Sequence, residues 1–371
     1  MKRLAILAGV VIGFAGTLNA GNPDRVGEAG AYELVMVPWA RTAGLNYISA
    51  SWIQGIEAIR LNVGGLAFVQ GTEFNLTRTI FYAPDVLNAT TLGIGQRIGE
   101  QSALGIEIFT LSAGEIPITT ENQPEGTGGV FKPQFINVAL AYARHFSDFI
   151  HAGIVVRSIY ESIHDVNASG VAFDAGVQYT TERLHFGVSL RNIGFPIKYK
   201  GSGMSRLVLD PSGQYQMTMQ IPSEDFELPL LLHIGAAYDI IIDDGCKRAS
   251  LMANFTSNAF GDDLIGLGGE FAYKEMAMFR IGYTFEKEVF TPQRADRQYS
   301  KLHLRSGLSL GLSLQLPLKK PDGENPVPAV ALDYAFRPAA PLGNIHSIGV
   351  RFMAGAQLPK CITAGEAPPK L

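Results

Sequence analysis

Between Lys301 and Leu316 the chain alternates almost without a break. Leu302, Leu304, Leu308, Leu310, Leu312, Leu314 and Leu316 fall on one side, and Lys301, His303, Arg305, Gly307, Ser309, Gly311, Ser313 and Gln315 on the other. A period of two sends successive side chains to opposite faces of a β-strand. A stretch of this length is about three times an average globular strand. A chain built from such segments must bury or otherwise shelter one long apolar face per strand.

The pattern recurs. Leu184, Phe186, Val188 and Leu190 alternate with Arg183, His185, Gly187, Ser189 and Arg191. Val171, Phe173, Ala175, Val177 and Tyr179 alternate with a set that includes Asp174, and Ile265, Leu267 and Phe271 with a set that includes Glu270. Val330, Leu332, Tyr334 and Phe336 flank Asp333 in the same way. The alternation predicts fourteen strands, at 67–76, 86–97, 102–113, 134–146, 149–163, 169–181, 183–193, 228–241, 247–257, 263–273, 276–287, 300–316, 328–337 and 345–353. Most reach the roughly 9–11 residues that a tilted strand needs to cross a bilayer. Tight turns are expected at 99–101, 147–148, 181–182 and 274–275, and long loops at 114–133, 194–227 and 288–299. Short turns at one end and long loops at the other are the pattern of a bacterial outer-membrane barrel.

Composition separates this from a soluble sandwich. Only 17% of the residues are charged against 47% hydrophobic, where an ordinary soluble domain carries about a quarter charged. A sandwich would have to wet its outer faces with charge that is absent here, whereas a barrel turns its apolar face to lipid and its polar face to the lumen. Disorder is excluded by the high apolar content and a net charge of only −4. A pI near 6.0 without a basic block argues against nucleic acid as a partner. Apart from the extreme N-terminus, no apolar run is long enough for a membrane helix.

Residues 1–20 read as a secretory signal: Lys2 and Arg3, then the apolar stretch from Leu4 to Leu18, then Ala20 before Gly21. The expected location is the bacterial outer membrane, with outer-membrane lipid as the surrounding partner. With both chain ends periplasmic, Cys246 falls in a short link and Cys361 in a tail at 355–371, on the same side. A disulfide between them is allowed in an oxidising compartment.

Residues 21–66 do not alternate. Ala50 to Leu61 is expected to form a short helix capped by Ser49 or Ser51. Asn62-Val63-Gly64-Gly65-Leu66-Ala67 then makes a glycine-rich turn into a barrel spanning 67–354. The segment is either a periplasmic arm or a plug, and a barrel of this size leaves an open lumen unless something fills it.

This last element resembles the Asn-Pro-Ala-Gly-Leu-Ala motif of PorV/PorQ-type outer-membrane proteins, relatives of the FadL-like barrels. Asn62, Gly65, Leu66 and Ala67 match, while Val63 and Gly64 replace the Pro and Ala. Ala141-Tyr142-Ala143-Arg144, Ser158 to Ala172, and Asp333-Tyr334-Ala335-Phe336 with Leu342-Gly343-Asn344-Ile345-His346 are also similar to that family. The resemblance implies a fourteen-stranded barrel that serves type IX secretion, binding the C-terminal signal domains of cargo and shuttling it from the secretion translocon to a surface attachment complex. The wider FadL-like group implies the alternative, a transporter or channel for small or hydrophobic solutes.

The side chains expected to face the lumen include Asp174, Arg183, Arg191, Asp239, Glu270, Arg280, Arg305 and Asp333, with His185, His233, Glu286, Lys301, His303 and Arg337. Both signs are present, as an ion-pair network or a selective pore would require. No enzyme is expected. Gly307-Leu308-Ser309-Leu310-Gly311 matches a nucleophile elbow literally, but it lies inside the strongest strand, and an elbow needs a strand-to-helix turn. Seven dispersed His and two distant Cys show no metal spacing, so neither metal nor cofactor is expected. The long loops are the expected sites of partner recognition.

Overall fold

The computed structural model describes residues 21–81, 87–120, 122–210, 212, 214–242, 246–286, 306–319, 327–339 and 343–356. The secretory signal expected at 1–20, Arg305, Cys361 and the tail beyond Ala356 lie outside these residues.

Fourteen antiparallel strands close into a barrel. They are β1 (Thr72–Phe81), β2 (Leu87–Ile98), β3 (Ser102–Ser112), β4 (Gln134–His145), β5 (Ile150–Ile163), β6 (Val166–Thr180), β7 (Leu184–Gly194), β8 (Leu231–Ile242), β9 (Lys247–Asn258), β10 (Leu264–Tyr273), β11 (Ala277–Glu286), β12 (Gly307–Pro317), β13 (Val327–Pro338) and β14 (Asn344–Ala356). Each pairs with its sequence neighbours, and β1 closes onto β14 from Glu73↔Met353 to Ile80↔His346. Closure leaves no sheet edge.

Burial follows the alternation. In β3, for example, Leu104, Ile106 and Ile108 are exposed while Ala103, Glu107 and Phe109 are fully buried. The outer wall is therefore an apolar surface of Leu, Ile, Val and Phe, as a lipid-facing barrel requires. At the end where β1 begins and β14 finishes, the connections are short apart from the one between β12 and β13; we call this the turn end. Exposed aromatics gather there: Tyr142, Phe146, Phe149, Tyr179, Tyr238 and Tyr273. The opposite, loop end carries 113–133 and 195–230, each with a two-stranded hairpin (Ile116–Pro117 with Val130–Phe131, and Ser205–Leu209 with Gln216–Gln220). One connection at the loop end is also tight, His164–Asp165, with His164 at φ 51°.

Two expectations need correction. The first strand starts at Thr72, not at 67, because Val63–Phe68 forms a 3-10 turn and Gly71 takes φ 71° before the strand begins. The helix expected over Ala50–Leu61 contracts to a 3-10 turn at Ile56–Arg60, because Gly55 adopts φ 87°, which a right-handed helix cannot continue through. Among the described residues no helix is long and apolar enough to cross a membrane.

Residues 31–69 are the core of the molecule. Leu34, Trp39, Leu45, Ile48, Ile53, Ile56, Ile59 and Leu66 are all at most 1% exposed. They lie inside the wall. The segment begins at the loop end, where Asn22 N donates to Asn258 O and Gly30 N to Glu227 O. It reaches the turn end at Val69, then enters β1. The plug is thus mostly turns and single helical turns. Its backbone groups bond to the wall where they cannot bond to each other, as a buried irregular segment must.

Candidate functional site

The lumen is the candidate site, and the wall is shaped to receive the plug. Glycines on the inner face let backbone approach backbone. A Cβ on Gly176 would lie 2.2 Å from Asn62 Oδ1, one on Gly187 2.4 Å from Ala50 O, and one on Gly282 2.6 Å from Leu45 O.

The Asn62 motif is the most heavily pinned part. Asn62 Oδ1 accepts from Gly64 N, capping the 3-10 turn, and its Nδ2 donates to Ala50 O (2.8 Å) and across to Val177 O in β6 (3.0 Å). Gly65 O accepts from Gly55 N, and a Cβ on Gly65 would fall 2.0 Å from Ile53 O. Leu66 is fully buried, and Ala67 O lies 2.7 Å from His145 Nε2. The resemblance had marked these residues as a turn; the structure adds that they lock the plug both to itself and to β6.

Three polar networks fasten the rest. In the middle of the lumen Glu107 of β3 accepts from Trp39 Nε1 (2.9 Å), Arg60 Nε (2.9 Å) and Arg157 Nη1 (2.7 Å). Arg157 reaches on to Asp174 of β6 at 3.2 Å. All four charged side chains are buried. Asp174 also accepts from Asn192 N at 2.6 Å, at a β-bulge where Arg191 and Asn192 of β7 stand opposite the single residue Asp174. The bulge turns both Arg191 and Asn192 inward.

Toward the turn end an arc of charge runs along β7 to β14. His185 Nε2 lies 3.2 Å from Asp239 Oδ2, and Arg248 bridges Glu270 (2.7 Å) and Glu275 (2.8 Å). Arg280 holds Glu270 (2.5 Å) and Ser313 (2.5 Å), Ser313 donates to Asp333, and Arg351 closes on Asp333 at 3.4 Å. Plug residues complete it. Glu57 accepts from Thr42 and Asn75, and Glu73 from Ile56 N. Arg41, whose guanidinium burial and the nearby Arg351 disfavour, also faces this arc. Arg41, Glu73, Asp239, Arg248, Glu270 and Arg351 are among the residues that border an open vestibule of about 350 Å³, whose apolar side includes Trp52, Phe68 and Met278.

At the loop end Asn137 Nδ2 donates to Glu33 Oε1 at 3.0 Å, and Tyr199 OH donates to Glu161. Burial, and then the Glu161 carboxylate, push the Glu33 carboxyl up to about 7. Burial and the bond to Glu161 raise the Tyr199 phenol. Tyr199 packs edge-on to Phe226, so this acid cluster is roofed by the 195–230 loop.

Of the residues expected in the lumen, Asp174, Arg191, Asp239, Glu270, Arg280 and Asp333 are buried there, with His185, His233 and Arg337. Arg183 is not. It stands exposed in the turn before β7, because the strand begins only at Leu184. Glu286 is half-buried at the strand end. Arg305, Lys301 and His303 lie outside the described residues. Glu107, Arg157, Arg60, Glu57 and Glu33, the centre of the networks, were missed. For Glu107 the signal was present, as the one charge between Ile106 and Ile108. Among the described residues no three His, Cys, Asp or Glu side chains form a metal-binding group, and no cysteine is free.

No protein-family profile matches the chain, and no curated protein matches its sequence significantly. Solved structures do. The CymD monoaromatic hydrocarbon channel superposes with a TM-score of 0.52 at 12% identity, covering 88% of this chain and 99% of that one. The toluene transporter TodX of Pseudomonas putida gives 0.52 at 10% identity, covering 85% and 97%. The chain has the fold of these hydrocarbon channels. At this identity the likeness shows the fold alone. It lends no support to the PorV/PorQ branch in particular.

Proposed function

We propose that this chain is a bacterial outer-membrane transporter for small apolar solutes, held shut by its own N-terminal segment, and not an enzyme. The supporting observation is the fold shared with CymD and TodX, combined with a plug that is fixed to the wall by side-chain hydrogen bonds and glycine contacts rather than by continuous sheet. Such a plug can shift without unzipping the barrel. In this reading the loop end is extracellular and the turn end periplasmic, in line with short periplasmic turns in such barrels.

The test is a reversible lock. A Cβ on Gly349 would lie 3.4 Å from the Ala40 Cβ, close to the separation a disulfide needs. Ala40→Cys with Gly349→Cys, in a background where Cys246 and Cys361 are serine, should tie the plug to β14. Uptake of toluene into proteoliposomes is expected to fall on oxidation and to return on reduction. Uptake that ignores the redox state would overturn the reading.

One observation favours the secretion reading as a second. The loop-end hairpin exposes Leu207 (70%), Leu209 (65%) and Tyr215 (70%), apolar surface that a protein partner would cover. Co-purification of the protein with a secretion translocon or with a cargo signal domain, lost when these three residues are made polar, would support it. Toluene uptake without such partners would count against it.

A further inference from the structure

A small cavity of about 20 Å³ lies between the plug and the wall, toward the loop end. The plug contributes Val35, Val37, Asn46, Tyr47 and Ile48, and the wall contributes Arg191, His233, Asn254 and Thr256 among others. No carboxylate lines it.

Arg191 is the unusual member. It is 2% exposed, and its Nη2 donates to Leu34 O at 2.9 Å, but its Nε and Nη1 have no partner. Asp174, which faces it across the bulge, already accepts from Arg157 Nη2 and Asn192 N. A second guanidinium stands behind the same wall. Arg337 donates to Asn46 Oδ1 at 3.0 Å and stacks over Tyr47 at 5.1 Å. A buried charge with bare donors is costly unless something supplies both an acceptor and a countercharge. A water molecule supplies the acceptor alone.

We propose that this cavity is a site for a monatomic anion of chloride size, held by Arg191 Nε and Nη1, which clamps the Val35–Ile48 part of the plug against β7. The volume admits about one water-sized sphere, so phosphate, sulfate and the head of a chained carboxylate are too large. The anion is part of the closed state and separate from any transported solute. Asn254 Oδ1 is a bare acceptor on this wall, and water bound there is the competing occupant.

The test uses the full-length protein in detergent. Thermal unfolding is followed at constant ionic strength as gluconate is replaced by chloride or bromide. The wild type should show a midpoint that climbs with halide concentration, as binding to the folded state demands. Arg191→Met should lose that climb, and Arg191→Lys, which keeps the charge, should retain part of it. Because Arg191→Met could fail to fold, wild-type crystals grown in bromide give an independent reading: an anomalous peak is expected beside Arg191. A midpoint indifferent to halide, with water density and no bromide peak, overturns the proposal. So does stabilisation by octanoate and not by chloride, which would make the site one for a carboxylate head.

Discussion

Gly44 of the plug and Gly311 of β12 meet backbone to backbone: a Cβ on Gly44 would lie 2.7 Å from the Gly311 Cα, and one on Gly311 2.9 Å from the Gly44 Cα. Nearby, Ser309 Oγ donates to Gly44 O at 3.1 Å and Asn46 Nδ2 to Gly307 O at 2.9 Å. This contact requires that neither residue carry a side chain. Gly311→Val should push the plug off β12. The expected cost is about 1–3 kcal/mol, the usual range for overpacking. It should appear as a lower temperature for the heat-modifiable gel shift and as faster proteolysis near residue 44. Unchanged protection of the plug would show that the contact is slack.

Glu107 is the single acceptor joining Trp39, Arg60 and Arg157. Glu107→Leu leaves two buried guanidinium groups without their shared countercharge. A loss of about 3–5 kcal/mol is expected, in line with breaking a buried pair from one side. Denaturant unfolding in micelles measures it, and Glu107→Gln should lose less. A leucine variant as stable as the wild type would mean that the arginines find other partners.

The Glu33 carboxyl, raised to about 7 by burial and by Glu161, links plug docking to pH. An undocked Glu33 titrates at its ordinary value of 4.5. Between the two values the docked form keeps a proton that the undocked form has lost. The contribution to docking is therefore fully present below the ordinary value and is lost as pH rises through about 7. Limited proteolysis of residues 22–36 should be slower at acidic pH than at alkaline pH, and Glu33→Gln should flatten the difference. Equal rates for wild type and variant across the range would remove Glu33 from the account.

Cys246 lies in the turn between β8 and β9, the side to which the sequence also assigns Cys361. Both thiols are expected to resist alkylation in the denatured, unreduced protein and to react after reduction. Two modified cysteines before reduction would rule out the bond.

Much of the wall was legible in the sequence, for a simple reason. Outward residues such as Leu184, Phe186 and Val188 face lipid, inward ones such as His185 and Ser189 face the plug, and a period of two reports that difference directly. The pattern failed where backbone geometry intervenes without changing composition. The bulge at Arg191–Asn192 adds one inward residue. Arg183 continues the alternation on paper but belongs to a turn. Arg157 is hidden because its inward neighbours, Val155 and Ile159, are as apolar as the outward Val156. The plug was least legible, since its partners are set by strands far along the chain. Nothing local in Gly44 points to Gly311, and nothing local in Arg60 points to Glu107.

The stretch that fills the barrel precedes every strand in the chain, yet the seam is sewn only when β14 reaches β1. The plug is therefore joined through β1 to one side of that seam, and the last wall strand arrives at the other side. Until the last strand arrives, two sticky edges and a loose apolar leader have to be kept from mispairing at the same time.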